Sequence, residues 1–204
     1  MKCAIIMAGG KGTRMKSEQP KVMCEVLFEP MINHVISTVK KMGAEDICVI
    51  TGYKHEIVEN YVKSLDENIE TALQEPQLGT GHAVMQARDF IEKHKSDDIV
   101  VLNGDGPMID AETLTKAYNY HKENNNSITL ISALVDDTDG IGHIKRDENG
   151  KLERIIEHKD ATEEEKKINE SNAGFYWFNG NDLLYALDNI TNNNAQNEYY
   201  ITDS

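Results

Sequence analysis

The apolar positions of this chain fall into short unbroken runs separated by longer segments in which they recur every three or four residues. Runs over 2–7 (KCAIIM), 46–51 (DICVIT), 98–102 (DIVVL) and 128–135 (ITLISALV) predict buried strands. Between them, Met31, Val35, Val39 and Met42, with Ile32 and Ile36 alongside, hold one helical apolar face. Ala83, Val84, Ala87, Phe90 and Ile91 hold a second, and Leu114, Ala117, Tyr118 and His121 a third. Strands alternating with helices at this spacing predict a Rossmann-like α/β fold: a mostly parallel sheet with helices on both faces.

After about residue 140 the pattern shortens. Residues 144–146, 152–157 and 174–178 predict short strands, and Glu148-Asn149-Gly150 a hairpin turn, giving a smaller, partly antiparallel section. In an open α/β sheet, ligands sit beyond the carboxyl ends of the strands. The loops after Met7, Leu73 and Leu102 should therefore share one edge. Asp136, Asp137 and Asp139 lack the spacing and distal Glu of a calcium loop and read as a solvated acidic turn.

The 204 residues fit one domain, 1–204, able to bury about 70% of its unfolded surface. No run approaches the roughly eighteen apolar residues of a membrane span, and a strand starting at residue 2 leaves no room for a signal peptide. A cytoplasmic protein is expected. The net charge of −14 argues against a nucleic-acid partner. Cys3, Cys24 and Cys48 are odd in number and lie in or beside apolar runs. They read as buried free thiols, with neither zinc spacing nor a disulfide framework.

Against that acidic background the segment after the first strand is basic and glycine-rich: Met7-Ala8-Gly9-Gly10-Lys11-Gly12-Thr13-Arg14, with Pro20-Lys21 following. Glycines let backbone N–H groups approach an anion, and Lys11, Arg14 and Lys21 supply cations. The loop matches neither G-x-x-x-x-G-K-[ST] nor the dinucleotide fingerprint, because Met15 stands at the third glycine. It points to a nucleotide or sugar phosphate. Asp105, between Gly104 and Gly106 after a buried strand, suits either a Mg²⁺ ligand or a turn aspartate bonding its own backbone. No histidine pairs with a Ser or Cys in a nucleophile motif, and there is no nucleophile elbow.

The G-x-G-T-R and P-K elements resemble the sugar-phosphate nucleotidyltransferases. Residues 74–84 (QEPQLGTGHAV), 103–107 (NGDGP), 140–147 (GIGHIKRD), 156–162 (IEHKDAT) and 192–203 (NNNAQNEYYITD) follow in order. Together they resemble the uridylyltransferase domain of the bacterial bifunctional N-acetylglucosamine-1-phosphate uridylyltransferase/glucosamine-1-phosphate acetyltransferases, over essentially the whole chain. The resemblance implies uridylyl transfer from UTP to N-acetylglucosamine 1-phosphate, giving UDP-N-acetylglucosamine, a peptidoglycan precursor, and pyrophosphate. A related nucleotidyltransferase using another sugar or nucleotide, or a poorly active binding domain, is the alternative.

Residue by residue, the resemblance implies that Arg14 and Lys21 are catalytic cations and that Met7, Ala8, Gly9 and Gly10 line the phosphates. Gln74, Gly79 and Thr80 fall where the family reads uracil, and Thr80 also reads as a helix N-cap. Asn103, Gly104 and Asp105 occupy the Y-G-D-V-P motif, with Asp105 the Mg²⁺ ligand. Asn103 replaces the usual tyrosine, and Gly106 replaces valine and is expected to widen the loop. Gly142, Glu157 and Asn172 fall where the family holds N-acetylglucosamine, and His143 and Ala173 replace its usual arginine and threonine. Lys159 and Asp160 suit a surface turn or a phosphate contact. Family members continue into a segment with a second metal ligand, then a trimeric acetyltransferase. These 204 residues are therefore expected to be a truncated, monomeric nucleotidyltransferase domain.

Overall fold

A computed structural model of the chain describes residues 1–12 and 17–204. Strand β1 (Lys2–Met7) has its four middle residues buried, as a strand covered on both faces requires. A 3₁₀ turn (Lys21–Met23) and a separate hairpin, β2 (Glu25–Val26) with β3 (Glu29–Pro30), lead into helix α1 (Met31–Met42). This helix buries the six apolar residues of its predicted face and ends at Gly43, in the left-handed conformation. Strand β4 (Asp46–Thr51), helix α2 (His55–Leu65) and strand β5 (Glu70–Leu73) follow. The second predicted helical face is divided between α3 (Thr80–Met85) and α4 (Arg88–Lys93). Its five apolar residues nevertheless enter one core, so the periodicity records burial rather than an unbroken helix.

The second half comprises β6 (Asp98–Asn103), α5 (Ala111–Glu123), β7 (Ile128–Leu134), β8 (His143–Arg146), β9 (Leu152–Ile156), β10 (Glu170–Asn179) and α6 (Gly180–Asn189). A 3₁₀ turn (Ile201–Asp203) comes last. One eight-stranded sheet runs β5-β4-β1-β6-β10-β8-β9, with β7 also paired to β10. Strands β5, β4, β1 and β6 are parallel; β10 joins β6 antiparallel, and its pairings with β7 and β8 are antiparallel too. The antiparallel section thus extends the main sheet. The chain leaves β1 toward β4 and β5, then returns to place β6 on the other side, so the topology switches between β1 and β6.

Successive strand residues face opposite ways. Ala4, Ile6, Val100, Leu102 and Trp177 pack beneath α1, α2 and α5; Ile5, Val101, Tyr176 and Phe178 pack beneath α3, α4 and α6. Trp177 is fully buried and donates Nε1–H to the Leu114 carbonyl at 3.1 Å, tying β10 to α5. Each such large apolar side chain contributes about 1.5–3 kcal/mol by leaving water. Cys3 and Cys48 are buried free thiols, but Cys24, just past the first 3₁₀ turn, is only half-buried. Among the described residues no helix is long and apolar enough to cross a membrane.

Candidate functional site

The loops after β1 and β6 flank the switch point. Met7 lies opposite Asn103 in the parallel register, and its carbonyl accepts the Gly104 N–H at 2.9 Å. Ala8 donates to the Ile50 carbonyl at 2.7 Å, and the Gly9 carbonyl accepts from Tyr53 at 2.9 Å. The glycine loop is thus anchored on both sides. Gly12 has φ +64°, and a Cβ there would lie 2.6 Å from Cβ of Lys21, so only glycine lets the lysine stem pass. The Lys21 ammonium pairs with the Asp105 carboxylate. That carboxylate contacts the lysine rather than its own turn, which leaves it able to take a cation. Arg14 lies outside the described residues.

Gln74 is nearly buried behind this loop. Its amide donates to the Gly79 carbonyl at 2.9 Å and lies 3.2 Å from Nδ1 of His82, whose charged form burial disfavours. Gly79 has φ +105°, and a Cβ there would meet the Tyr199 carbonyl at 2.4 Å. Gly81 N–H donates to that same oxygen at 2.7 Å. Segment 74–84 is therefore packed directly on segment 192–203. Thr80 is not the N-cap expected of it: Gly79 occupies that position, and Oγ1 of Thr80 accepts the Ile201 N–H at 3.0 Å. The hydroxyl ties two motifs together instead of serving its own helix.

These residues line a cavity of about 350 Å³, whose walls include Met7, Gly9, Gly10, Lys21 and Gln74. Gly79, Thr80, Asn103 and Asp105 complete the predicted set there. Ala8 and Gly104 are buried behind it and hold the loops. Lys11 is exposed outside it, its ammonium 5.4 Å from the Tyr53 ring centre.

A second cavity of about 210 Å³ shares Met7, Thr80 and Asn103 with the first and adds Gly142, Glu157 and Asn172. Asn172 N–H donates to the Gly142 carbonyl at 2.8 Å. The Asn172 amide donates to the Tyr176 hydroxyl at 2.6 Å, and its oxygen accepts Gly174 N–H at 3.1 Å. Gly174, at φ +76°, sits in the irregularity of β10 between Asn172 and Tyr176 that brings Asn172 to this wall. Burial pushes the Glu157 carboxyl above the usual carboxylate range, and a 2.8 Å hydrogen bond from Thr202 only partly opposes it.

Gly106 does not widen its loop. A Cβ there would lie 2.7 Å from Cζ of Phe175, so the phenyl ring fills the space. Asp160 accepts the Ala195 N–H at 2.8 Å, and Lys159 donates to Gln196, so both pin segment 192–203. The acidic turn is local, with Asp139 N–H on Asp137 Oδ1 at 3.0 Å. Sequence reading missed Gln77, which donates to the Gly9 carbonyl, and Glu198 and Thr202. All three lie inside quoted motifs, in irregular stretches where no period shows which side chain faces a ligand.

A family model described as nucleotidyl transferase matches residues 3–204. The bifunctional protein GlmU of Fervidobacterium nodosum is 50% identical over 199 residues, 98% of this chain and 42% of that protein. Those of Clostridioides difficile and Clostridium beijerinckii are 48% and 45% identical, covering 98% and 100% of this chain and 43% and 44% of those proteins. The chain spans less than half the length of these relatives. A crystal structure from Bacillus anthracis, described as a glucose-1-phosphate thymidylyltransferase in complex with a sucrose, superposes with a TM-score of 0.80. It covers 100% of this chain and 80% of that one at 24% identity, a likeness of fold. With its glycine loop, paired lysine and aspartate, and switch-point cavity matched end to end, the chain belongs to the nucleotidyl transferase family.

Proposed function

We propose that the chain transfers a uridylyl group from UTP to N-acetylglucosamine 1-phosphate, forming UDP-N-acetylglucosamine and pyrophosphate. The observation that carries this reading is the continuity of two chemically different cavities through Met7, Thr80 and Asn103. One offers glycine amides and the Lys21 ammonium, suited to phosphates; the other offers the Glu157 carboxylate and Asn172 amide, suited to sugar hydroxyls. The choice of uridine and N-acetylglucosamine follows the motif resemblance and the identity to the GlmU proteins. These substrates belong to the cytoplasm, where we place the protein.

The attacking group is a phosphate anion, so no general base is required. The chain has to hold two polyanions in line and offset the charge gathering on the α-phosphate and leaving pyrophosphate. Lys21 serves the α-phosphate or sugar phosphate. Arg14 is assigned to the leaving group on its motif position and its bidentate fork. Gln74, Gly79 and Thr80 receive the base; Glu157 and Asn172 orient the sugar, and Gly142 leaves room for the acetamido group. The Asp105 carboxylate lines the phosphate cavity and already takes the positive charge of Lys21. As a hard oxygen donor it fits Mg²⁺, which is commonly held by one or two carboxylates and substrate phosphates. Bound there, Mg²⁺ would neutralise phosphate oxygens.

Pyrophosphate release with UTP, N-acetylglucosamine 1-phosphate and Mg²⁺ tests the assignment. Release is expected, with loss in Asp105→Asn and much slower turnover on glucose 1-phosphate. Equal turnover of both sugars would overturn the sugar assignment, and full activity of Asp105→Asn the metal ligand.

A further inference from the structure

On the opposite edge of the sheet from the phosphate cavity, Cys3 at the start of β1 meets His94 and Asp97 of the turn between α4 and β6. Nδ1 of His94 lies 3.2 Å from Cys3 Sγ and 3.2 Å from Asp97 Oδ2. One ligand atom from each of the three residues lies within 4.8 Å of the others. Cys3 and the His94 ring are buried, while Asp97 reaches the surface. On the far side of the ring, Nε2 of His94 is buried 3.3 Å from Asp46 Oδ2 with no hydrogen bond between them.

No neutral form of His94 suits all of these neighbours. A protonated Nδ1 serves Asp97 but opposes the thiol proton, and it leaves the Nε2 lone pair facing Asp46. An unprotonated Nδ1 accepts from the thiol but faces the Asp97 carboxylate. A cation between the three groups removes the conflict. It takes the Nδ1 lone pair, a thiolate and a carboxylate oxygen, and leaves Nε2–H to donate to Asp46, as metal-bound histidines donate to outer carboxylates. Bond lengths of about 2.0–2.3 Å place tetrahedral ligand atoms roughly 3.3–3.8 Å apart; the two 3.2 Å separations from Nδ1 lie just below that range, and the third stays within 4.8 Å. We propose that Cys3, His94 and Asp97 form a Zn²⁺ site, oriented by Asp46 and with water in its fourth position, that links β1 to the α4–β6 turn. Sulfur, imidazole and carboxylate together select Zn²⁺ over Mg²⁺ or Ca²⁺.

The ion enters beside Asp97, whose other oxygen lies 3.1 Å from the Met1 amine. The sequence separation of 91 between Cys3 and His94 hides the cluster from any spacing rule.

The test is Zn²⁺ content after chelation and reloading, with Co²⁺ as the spectroscopic probe. One Zn²⁺ per chain and a thiolate-to-Co²⁺ charge-transfer band are expected. Cys3→Ser should abolish the band, Cys24→Ser/Cys48→Ser should retain it, and Asp46→Asn should weaken Zn²⁺ binding about 10–100-fold. If Cys3→Ser fails to fold, the double variant, in which Cys3 is the remaining thiol, decides. A chain that takes no Co²⁺ thiolate, or a band that persists in folded Cys3→Ser, overturns the site.

Discussion

Thr202 donates its hydroxyl to Oε1 of Glu157 at 2.8 Å, so segment 192–203 closes on the carboxylate proposed to hold the sugar. Burial raises Glu157 above the usual carboxylate range more than this bond lowers it. Folded Glu157 therefore binds its proton more tightly than the unfolded chain does, and its contribution to stability falls as pH rises between the two values. Above that window its buried charge is a standing cost. Glu157→Gln should hold or raise the Tm at neutral pH and flatten its pH dependence through the window. The KM for the sugar phosphate should rise roughly ten- to hundredfold, from about 1.5–3 kcal/mol per hydrogen bond to a charged group. A pH series of unfolding and kinetics at saturating UTP check both halves; a lower Tm with unchanged KM would refute the assignment.

What the sequence made legible was mostly local. The run 2–7 and helix α1 carry six and twelve residues of consistent pattern, enough to specify a buried strand and an amphipathic helix. Helices α2 and α6 escaped notice because each buries few apolar anchors, Val58 and Val62 in one, Leu183 and Leu187 in the other. The phosphate loop was readable because its glycines and cations adjoin in sequence. Thr80 was misread because capping is a local rule, whereas its partner Ile201 lies 121 residues away. The consequence of Gly106 was misread for the same reason, since nothing near it in sequence announces the Phe175 ring.

That ring makes Gly106→Val a test of packing. Cβ would fall 2.7 Å from Cζ and 3.2 Å from Cε1 of Phe175, which is buried in the core beneath α1 and α5. Valine at 106 should cost about 1–3 kcal/mol by overpacking. Phe175→Leu in the same chain should recover most of it. Chemical denaturation of both single variants and the double closes the cycle, and simple additivity would show that the two residues do not share the space.

Thr80→Val keeps the side-chain volume but removes the acceptor for the Ile201 N–H, in a part of the chain where Ile201 is buried. An orphaned buried donor costs about 1–3 kcal/mol. Thr80 lines both cavities, so KM should rise for UTP and the sugar phosphate together. Thr80→Ser, which restores the oxygen, should return both constants toward those of the unaltered chain. Hydrogen exchange at the Ile201 amide provides a direct reading: it should quicken in Thr80→Val and slow again in Thr80→Ser.

Lys21 and Asp105 are paired and line the same cavity, yet their removal should act in different ways. Lys21→Ala takes away a positive charge aimed at the phosphates and should lower kcat by about 10²–10³, the cost of losing one preorganised electrostatic contact. It also frees the Asp105 carboxylate from a competing ammonium, so the midpoint of the Mg²⁺ titration should shift to lower concentration. Asp105→Asn removes the anionic oxygen and should abolish turnover across that titration, with Lys21 still present. The side chains are 40% and 30% exposed, so neither change should move thermal unfolding by more than about 0.5 kcal/mol. Pyrophosphate release measured against Mg²⁺ separates the two roles. A Lys21→Ala chain that needs more Mg²⁺ than the unaltered one would mean that the lysine supports the ion's site and does not compete for it.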